Sequence, residues 1–166
     1  MKVHSRKPTS QDFQAMRKLL LNEGPNEWNY ITDESIDRQF QLIEDGKALA
    51  VLAEAEEIAG FAVLILKDAC PEKLSNYADL ADIAYINDVV VAANHSGKGL
   101  GSELLAVSIK LAANEKCDAV YIERHEENMA SAGMMRKAGF ELVETFYDPD
   151  KRAAGSRRTS VLSICT

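Results

Sequence analysis

Apolar residues along the chain recur at two spacings, one typical of helices and the other of strands. Apolar positions three and four residues apart predict amphipathic helices over residues 9 or 10 to 21, 33–45, 99–116 and 129–138. Short apolar runs bounded by polar or turn residues predict strands over residues 2–6, 47–54, 58–67, 83–92, 119–123, 141–147 and 159–164. Residues 22–32 and 68–82 read as loops, the second with room for a short helical excursion.

The order of these segments, β-α-α-β-β-β-α-β-α-β-β, predicts an α/β fold. A strand covered on both faces is apolar along nearly its whole length, and residues 83–92 have this character. We therefore expect a mixed sheet with helices on both faces and residues 83–92 near its middle.

Composition narrows the class of protein. The chain has 166 residues and a formal net charge of −7, which argues against a nucleic-acid partner because such proteins usually carry a basic face. The acidic balance favours a cationic substrate, although solubility alone also accounts for it. The three cysteines are far apart and odd in number, and they share no metal-ligand spacing with the histidines. No apolar run resembles a signal peptide or a membrane span. These features predict a cytoplasmic protein with no membrane partner and no metal.

The segment from Ile86 to Glu103 carries the clearest chemical signal. An apolar strand leads into a turn that contains Gly97, Gly99 and Gly101, and a helix begins directly afterwards. Glycines let the backbone turn tightly and approach a ligand closely. The first amides of a helix have no internal acceptors and lie at the positive end of its dipole. The segment therefore predicts a site for a phosphate or a diphosphate.

Two familiar phosphate motifs fit this turn poorly. A nucleoside triphosphate loop requires a lysine followed by serine or threonine, but Lys98 is followed by Gly99. A dinucleotide fold requires Gly-x-Gly-x-x-Gly/Ala and an acidic residue about 20 positions later. Gly97, Gly99 and Ser102 approximate that pattern and Glu123 lies at a suitable distance, but too few residues follow to complete two βαβ halves.

The segment Ser96-Gly-Lys-Gly-Leu-Gly resembles the Gln/Arg-x-x-Gly-x-Gly/Ala motif of the GNAT superfamily, the acyl-CoA-dependent N-acyltransferases. The preceding Tyr85-Ile-Asn-Asp-Val-Val-Val is similar to the fourth strand of that family. Asn128, followed by Arg136-Lys-Ala-Gly-Phe140, resembles the family's Asn…Tyr-Glu-Lys-x-Gly-Phe segment. The resemblance implies that residues 1–166 form a single GNAT-like domain with a mixed, mostly antiparallel sheet.

The resemblance implies transfer of an acetyl group from acetyl-CoA to a primary amine by direct attack. The acceptor would be a small molecule, a peptide N-terminus or a lysine, and a homodimer is common in the family. The alternative is a non-catalytic module that senses acyl-CoA. The residues expected to contact the co-substrate are Val89, Val90, Val91, Gly97, Lys98, Gly99, Leu100, Gly101, Ser102 and Asn128. The pantetheine arm would lie along residues 89–91 like an added strand.

The incoming amine needs a base, because a free alkyl ammonium has a pKa of roughly 10. Asp88 is the expected catalytic base, and strand alternation predicts that Asn87 points to the opposite face. An ordinary structural carboxylate is the competing interpretation of Asp88, and Glu123 and His125 are alternative bases. The family's proton-donating tyrosine falls on Met135, which cannot donate a proton, so Tyr85, Tyr121 or water would replace it.

Two further groups have open roles. Trp28 and Tyr30 resemble family positions that wall the acceptor site, although a lid over the core would explain them equally well. The basic residues between the last two strands could meet an anion, but a solvated hairpin is the expected interpretation because charge runs usually face water. These residues are Lys151, Arg152, Arg157 and Arg158.

Overall fold

A computed structural model describes residues 1–26 and 28–166, and the chain forms a seven-stranded sheet with four helices. The strands are β1 (Lys2–Ser5), β2 (Ala48–Glu54), β3 (Ile58–Leu66), β4 (Ile83–Val91), β5 (Ala119–His125), β6 (Glu141–Tyr147) and β7 (Arg158–Cys165). The helices are α1 (Ser10–Glu23), α2 (Asp33–Glu44), α3 (Leu100–Asn114) and α4 (Met129–Ala138). The predicted element order and fold class are confirmed, and the excursion within residues 68–82 is a series of short 3₁₀ turns.

Local sequence explains where the first two helices begin. Thr9 caps α1 and Thr32 caps α2, each hydroxyl accepting a hydrogen bond from the amide three residues later. The side chains of Asp12 and Ser35 reach back to the cap amides, which completes a capping box at both sites. The capping sequence therefore fixes both helix starts.

The strands lie in the order β1-β2-β3-β4-β5-β7-β6, and every neighbouring pair is antiparallel except β4 and β5. Helices α1 and α2 cover one face, where Met16, Leu20 and Ile36 are buried. On the other face Leu105 of α3 and Met135 of α4 pack against the sheet. The sheet is thus buried on both faces near its centre, as the apolar run of β4 predicts.

The parallel pair β4 and β5 separates part of the way along its length. Pairing runs from Ile83 with Ala119 to Ile86 with Ile122 and then stops. Beyond that point β4 stays paired with β3 as far as Val91, while β5 stays paired with β7 as far as His125. The two halves of the sheet therefore diverge and leave a cleft between them.

Among the residues that the structure describes, no helix is long and apolar enough to cross a membrane.

Candidate active site

The cleft between β4 and β5 is the candidate active site. It has a volume of about 230 Å³ and is walled by the diverging strands, by α4 and by the segment that joins α1 to α2. Asp88, Val89, Glu123, Asn128 and Arg152 all line it. Residues from distant parts of the sequence therefore meet at the point where the sheet opens.

The glycine turn follows β4 and leads into α3, whose Gly101 lies against Met134 in the wall of the cleft. Gly97 and Gly99 have φ values of +78° and +79°, a left-handed conformation that side chains disfavour, and a Cβ at either position would meet no atom within 4 Å. The open space beside these residues is what a bound group would occupy. The turn therefore requires glycine for its backbone shape and leaves room for a ligand.

The amides from Gly97 to Ser102 have no hydrogen-bond acceptor among the described residues, and Glu103 makes the first bond of the helix, to the Gly99 carbonyl at 3.1 Å. Lys98 adds a positive charge, with its Nζ 3.4 Å from His95 Nδ1. A row of free donors at the positive end of a helix, beside a lysine, fits a diphosphate. Lys98 lies in this turn, and Leu100, Gly101 and Ser102 form the first turn of α3; their contact with a co-substrate stays a prediction.

Gly101 also permits the close packing of α3 on α4. A Cβ on Gly101 would lie 2.9 Å from Met134 Sδ, so a larger residue would displace that side chain. Asn128 caps α4 by accepting a hydrogen bond from the Ser131 amide at 3.2 Å, and both residues line the cleft. The segment that begins at Asn128 therefore lies next to the glycine turn, and the two are joined by the contact between α3 and α4.

The free side of β4 presents backbone groups to the cleft. The Ala92 amide donates to the Ala59 carbonyl of the adjacent strand β3 at 2.7 Å. Because successive amides point to opposite sides of a strand, those of Val89 and Val91 point away from β3, towards the cleft, and that of Val90 towards β3. The donors that the sequence predicts within residues 89–91 are thus available at Val89 and Val91.

A β-bulge at Asn87 and Asp88 corrects the predicted direction of these side chains. The register with β3 shifts between Ile86 and Val89, so two residues of β4 oppose one residue of β3. Asn87 Nδ2 donates to Gln39 Oε1 at 2.9 Å, and Gln39 Nε2 donates to Asp88 Oδ2 at 2.7 Å. Both side chains therefore reach the same residue of α2, and the expectation of opposite faces is wrong.

Gln39 is a functional neighbour that the sequence analysis did not identify. It is 3% exposed and lies on the buried stripe of α2 with Ile36 and Phe40. A polar residue at an apolar position of a helix was the available signal. Burial raises the pKa of Asp88 above its ordinary value, against the Gln39 hydrogen bond and the charge of Lys151, which lower it.

Glu123 is held between two lysines. Its side chain is 1% exposed, and Oε1 accepts hydrogen bonds from Lys73 and Lys151, each at 2.9 Å. Oε2 makes an ionic contact of 2.8 Å with Lys73 but accepts no hydrogen bond from the described residues. Burial alone would raise the pKa of Glu123, but the charges of Lys151 and Lys73 outweigh it and the pKa is lowered. Glu123 is therefore ionised and enclosed.

His125 is fully engaged in structural contacts. Its Nδ1 lies 3.0 Å from the Glu127 amide, and its Nε2 lies 2.7 Å from the Ala154 carbonyl. An amide can only donate and a carbonyl can only accept, so the ring is neutral with its proton on Nε2. The ring of Trp28 packs against it at a centroid distance of 4.6 Å. His125 thus anchors the segment after α1 rather than presenting a free nitrogen to the cleft.

The basic hairpin is only partly solvated, which corrects the sequence interpretation. Arg157 and Arg158 are exposed, but Arg152 is 3% exposed and lines the cleft, and Lys151 reaches Glu123. Arg152 Nε donates to Thr159 Oγ1 at 2.9 Å. The charge run turns inward here because the β6–β7 connection folds back over the cleft.

Met135, at the position of the family's proton-donating tyrosine, is buried and packs with Phe140 in the core on the α3–α4 face. The tyrosines that could replace that donor differ in exposure. Tyr85 lines the cleft, and burial raises its pKa well above the ordinary value. Burial also raises the pKa of Tyr121, which stacks on Tyr77. Tyr30 is 81% exposed at the rim of the cleft.

The sequence matches a known family of enzymes over most of its length. The profile of the Acetyltransferase (GNAT) family matches residues 13–140, which is well over half of the chain. The chain belongs to the GNAT acetyltransferase family.

Individual relatives are more distant. An uncharacterized N-acetyltransferase, YobR of Bacillus subtilis (strain 168), is 28% identical over 67 residues, which is 40% of this chain and 27% of that protein. The chain therefore matches about a quarter of the length of this curated relative. Among solved structures, ribosomal-protein-alanine N-acetyltransferase from Brucella melitensis has a TM-score of 0.76 and 21% identity, with 100% of both chains covered. A Bacillus subtilis acetyltransferase in complex with CoA has a TM-score of 0.72 and 18% identity, with 99% and 98% covered. These two likenesses show the fold.

Proposed function

We propose that the protein transfers an acetyl group from acetyl-CoA to a primary amine of a small molecule or peptide by direct nucleophilic attack. One observation carries the proposal: β4 places free backbone donors beside a carboxylate with a raised pKa in the cleft, and the glycine turn that follows β4 adds a row of free amides at the start of α3. Acetyl-CoA, the co-substrate of GNAT acetyltransferases, supplies an activated thioester carbonyl.

The residues present fit this co-substrate. The amides from Gly97 to Ser102, with Lys98, match a diphosphate in charge and in hydrogen-bonding capacity. The amides of Val89 and Val91 would hold an extended pantetheine arm as an added strand. One of them would also donate to the carbonyl oxygen as it gains negative charge, and such a donor contributes roughly 3–4 kcal/mol. Asn128, at the start of α4, lies on the other wall of the cleft.

Asp88 is the group best suited to take the proton of the amine. Its Oδ2 is oriented by Gln39, and Oδ1 accepts no hydrogen bond from the described residues. The raised pKa of Asp88 is closer to neutral pH than that of an ordinary carboxylate, which makes the ionised form a stronger base. Glu123 is less suited because its pKa is lowered and its side chain is enclosed. His125 is less suited because both ring nitrogens are engaged.

The remaining steps need no covalent enzyme intermediate. Cys70 and Cys117 are buried, and burial raises the pKa of the Cys70 thiol to about 12, which removes it as a nucleophile. The departing thiolate has an ordinary thiol pKa of roughly 8.5, so it leaves near neutral pH without a strong acid. Tyr85 or water would return a proton to it, since Met135 has none to give.

A non-catalytic acyl-CoA sensor is the second candidate, and Met135 at the position of the family's tyrosine favours it. The test is to incubate the protein with acetyl-CoA and a panel of primary amines and to follow free thiol, with CoA binding measured by calorimetry. Thiol release that depends on both enzyme and amine supports acetyl transfer. Tight CoA binding with no release for any amine would leave the sensor as the function.

A further inference from the structure

Arg152 is a buried cation in the wall of the cleft. It is 3% exposed, and its contacts come from three separate parts of the chain. Nε donates to Thr159, and Nη1 lies 3.2 Å from the Trp28 carbonyl and 3.4 Å from Asn29 Oδ1. These bonds fix the plane of the guanidinium. Nη2 has no acceptor among residues 1–26 and 28–166.

The other cations around the cleft differ from Arg152 in their partners or in their position. Lys73 and Lys151 share the Glu123 carboxylate. Arg124 also lines the cleft, and its Nη1 donates to the carbonyls of His125 and Glu126, while its buried Nε has no acceptor among the described residues. Strand alternation places Arg124 on the α3–α4 face of the sheet. Within the described part of the chain, Arg152 has no carboxylate within 4.0 Å. A buried charge without a direct counter-charge is costly, and only a bound anion would compensate it fully.

Glu123 and Asp148 are carboxylates that act on Arg152 without contacting it, and Asp148 is linked to it through Thr159. Thr159 Oγ1, which accepts from Arg152 Nε, donates to Asp148 Oδ2 at 2.7 Å. This relay orients the guanidinium and leaves the N–H groups of Nη2 without an acceptor among the described residues. They remain able to donate charge-assisted hydrogen bonds to a carboxylate.

Resting on the proposed acetyl transfer, we propose that the acceptor is a small amine that also carries a carboxylate, and that Arg152 binds this carboxylate. The acceptor would thus be a zwitterion such as a free amino acid, with its amine towards Asp88. Transfer forms the amide C–N bond, breaks the thioester C–S bond and leaves the carboxylate unchanged.

The charges of the cleft suit such an acceptor. Burial raises the pKa of Tyr85, the Glu123 and Asp88 carboxylates raise it further, and the Arg152 guanidinium lowers it; Glu123 is already shared by two lysines, which leaves Asp88 and Arg152 for a ligand. Both charges therefore lie close to this phenol, with opposite signs available to one ligand. The cleft, at about 230 Å³, is smaller than most drug-sized pockets and suits a compact acceptor.

The first test compares matched acceptors with the wild-type protein. Free amino acids are compared with their carboxamides and with the corresponding decarboxylated amines, and thiol release from acetyl-CoA gives kcat and KM for each. We expect kcat/KM to be about 10- to 100-fold higher for at least one free acid than for its amide, the range that one lost charge-assisted hydrogen bond produces. Equal rates for acids and amides, or turnover of carboxylate-free amines alone, would overturn the carboxylate assignment and leave acetyl transfer standing.

The second test uses Arg152→Gln, with Arg158→Gln as a control on the exposed side of the same hairpin. Arg152→Gln should raise KM for the preferred acid by about 10- to 100-fold and affect the amide much less, so that the preference for the acid is lost. A purely structural role would instead lower both rates together. If Arg152→Gln does not fold, the wild-type comparison of acid and amide decides alone. Absence of thiol release from every acceptor overturns the proposed function, and this inference with it.

Discussion

One side of the cleft presents mainly backbone groups, and the other presents mainly side chains. The side at the start of α3 uses backbone amides, from Gly97 to Ser102 and at Val89 and Val91, and few side chains. The opposite side uses side chains joined over long sequence distances, such as Gln39 with Asp88 and Lys151 with Glu123. Backbone recognition suits a ligand that never changes, and side-chain recognition suits one that differs between family members.

This difference teaches where specificity is encoded. A turn that binds through backbone amides tolerates many side chains provided that its glycines remain. Its sequence therefore predicts the co-substrate and gives no information about the acceptor. The networks around Asp88, Glu123 and Arg152 depend instead on the identity of side chains. Changes on the first side should therefore abolish binding of CoA, and changes on the second should alter rate, stability or acceptor choice.

We expect the largest effect, a loss of CoA affinity, from a substitution in the glycine turn. Gly99→Glu places a carboxylate beside the amides that would hold a diphosphate, so calorimetry should show CoA affinity lowered by at least about 100-fold. Gly46→Glu is the control, since Gly46 has a φ of +75° and equally open surroundings, but ends α2 far from the cleft. Both variants should lose about 1–2 kcal/mol from backbone strain. Unchanged CoA affinity in Gly99→Glu would remove the turn from the site.

On the side of the cleft that is built from side chains, we expect a substitution at Asp88 to lower kcat. Asp88→Asn removes the proposed base while keeping its shape, and a general base contributes at least about 100-fold. Because the remaining route needs an amine that is already neutral, the deficit in kcat should be largest near pH 7. It should shrink as the pH rises towards the amine pKa of roughly 10. A pH profile identical to that of the wild type would reject Asp88 as the base.

Glu123 should govern stability more than CoA binding. Because its pKa is lowered on folding, its contribution is present above its unfolded pKa and is lost as the pH falls through the folded value. Glu123→Gln should lower the free energy of unfolding by about 2 kcal/mol at pH 7, less than the usual cost of breaking a buried pair because both lysines are partly exposed. Urea unfolding at pH 7 and near pH 3 measures this, with the exposed Glu141→Gln as control. A loss of equal size at both pH values would contradict the ion-pair explanation.

The smallest expected effect comes from Gln39→Leu. The Gln39 hydrogen bond lowers the pKa of Asp88, so its removal should raise that pKa and move the acid limb of kcat/KM to higher pH. We expect a displacement of less than about one pH unit, the size of a single modest hydrogen bond. Gln41→Leu, on the exposed face of the same helix, should leave the limb in place. A shift to lower pH would show that Gln39 acts in some other way.

The sequence predicted the fold well because its signals are local. Helix period, strand length and the capping threonines are written within a few neighbouring residues, so element bounds differ from the structure by only a residue or two at most ends. The glycine turn is equally local, and it leads into α3 as the sequence predicts. The same reasoning could not place Asn87, since β4 is apolar on both faces and its pattern does not reveal the bulge.

The acceptor side was hidden from sequence reasoning because its contacts are distant. Gln39 and Asp88 are 49 residues apart, and Arg152 meets the Trp28 carbonyl across 124 residues. No local pattern distinguishes an arginine that folds inward from its exposed neighbours in a basic loop. Only the fold back over the cleft gives Arg152 its surroundings.

The parting of β4 and β5 has a mechanical consequence. Two half-sheets are joined there by a short ladder that ends at Ile86 and Ile122, and beyond it each strand pairs only with its outer neighbour. A ligand that hydrogen-bonds to both strands across the gap would couple the two half-sheets. We therefore expect binding in the cleft to make the sheet more rigid.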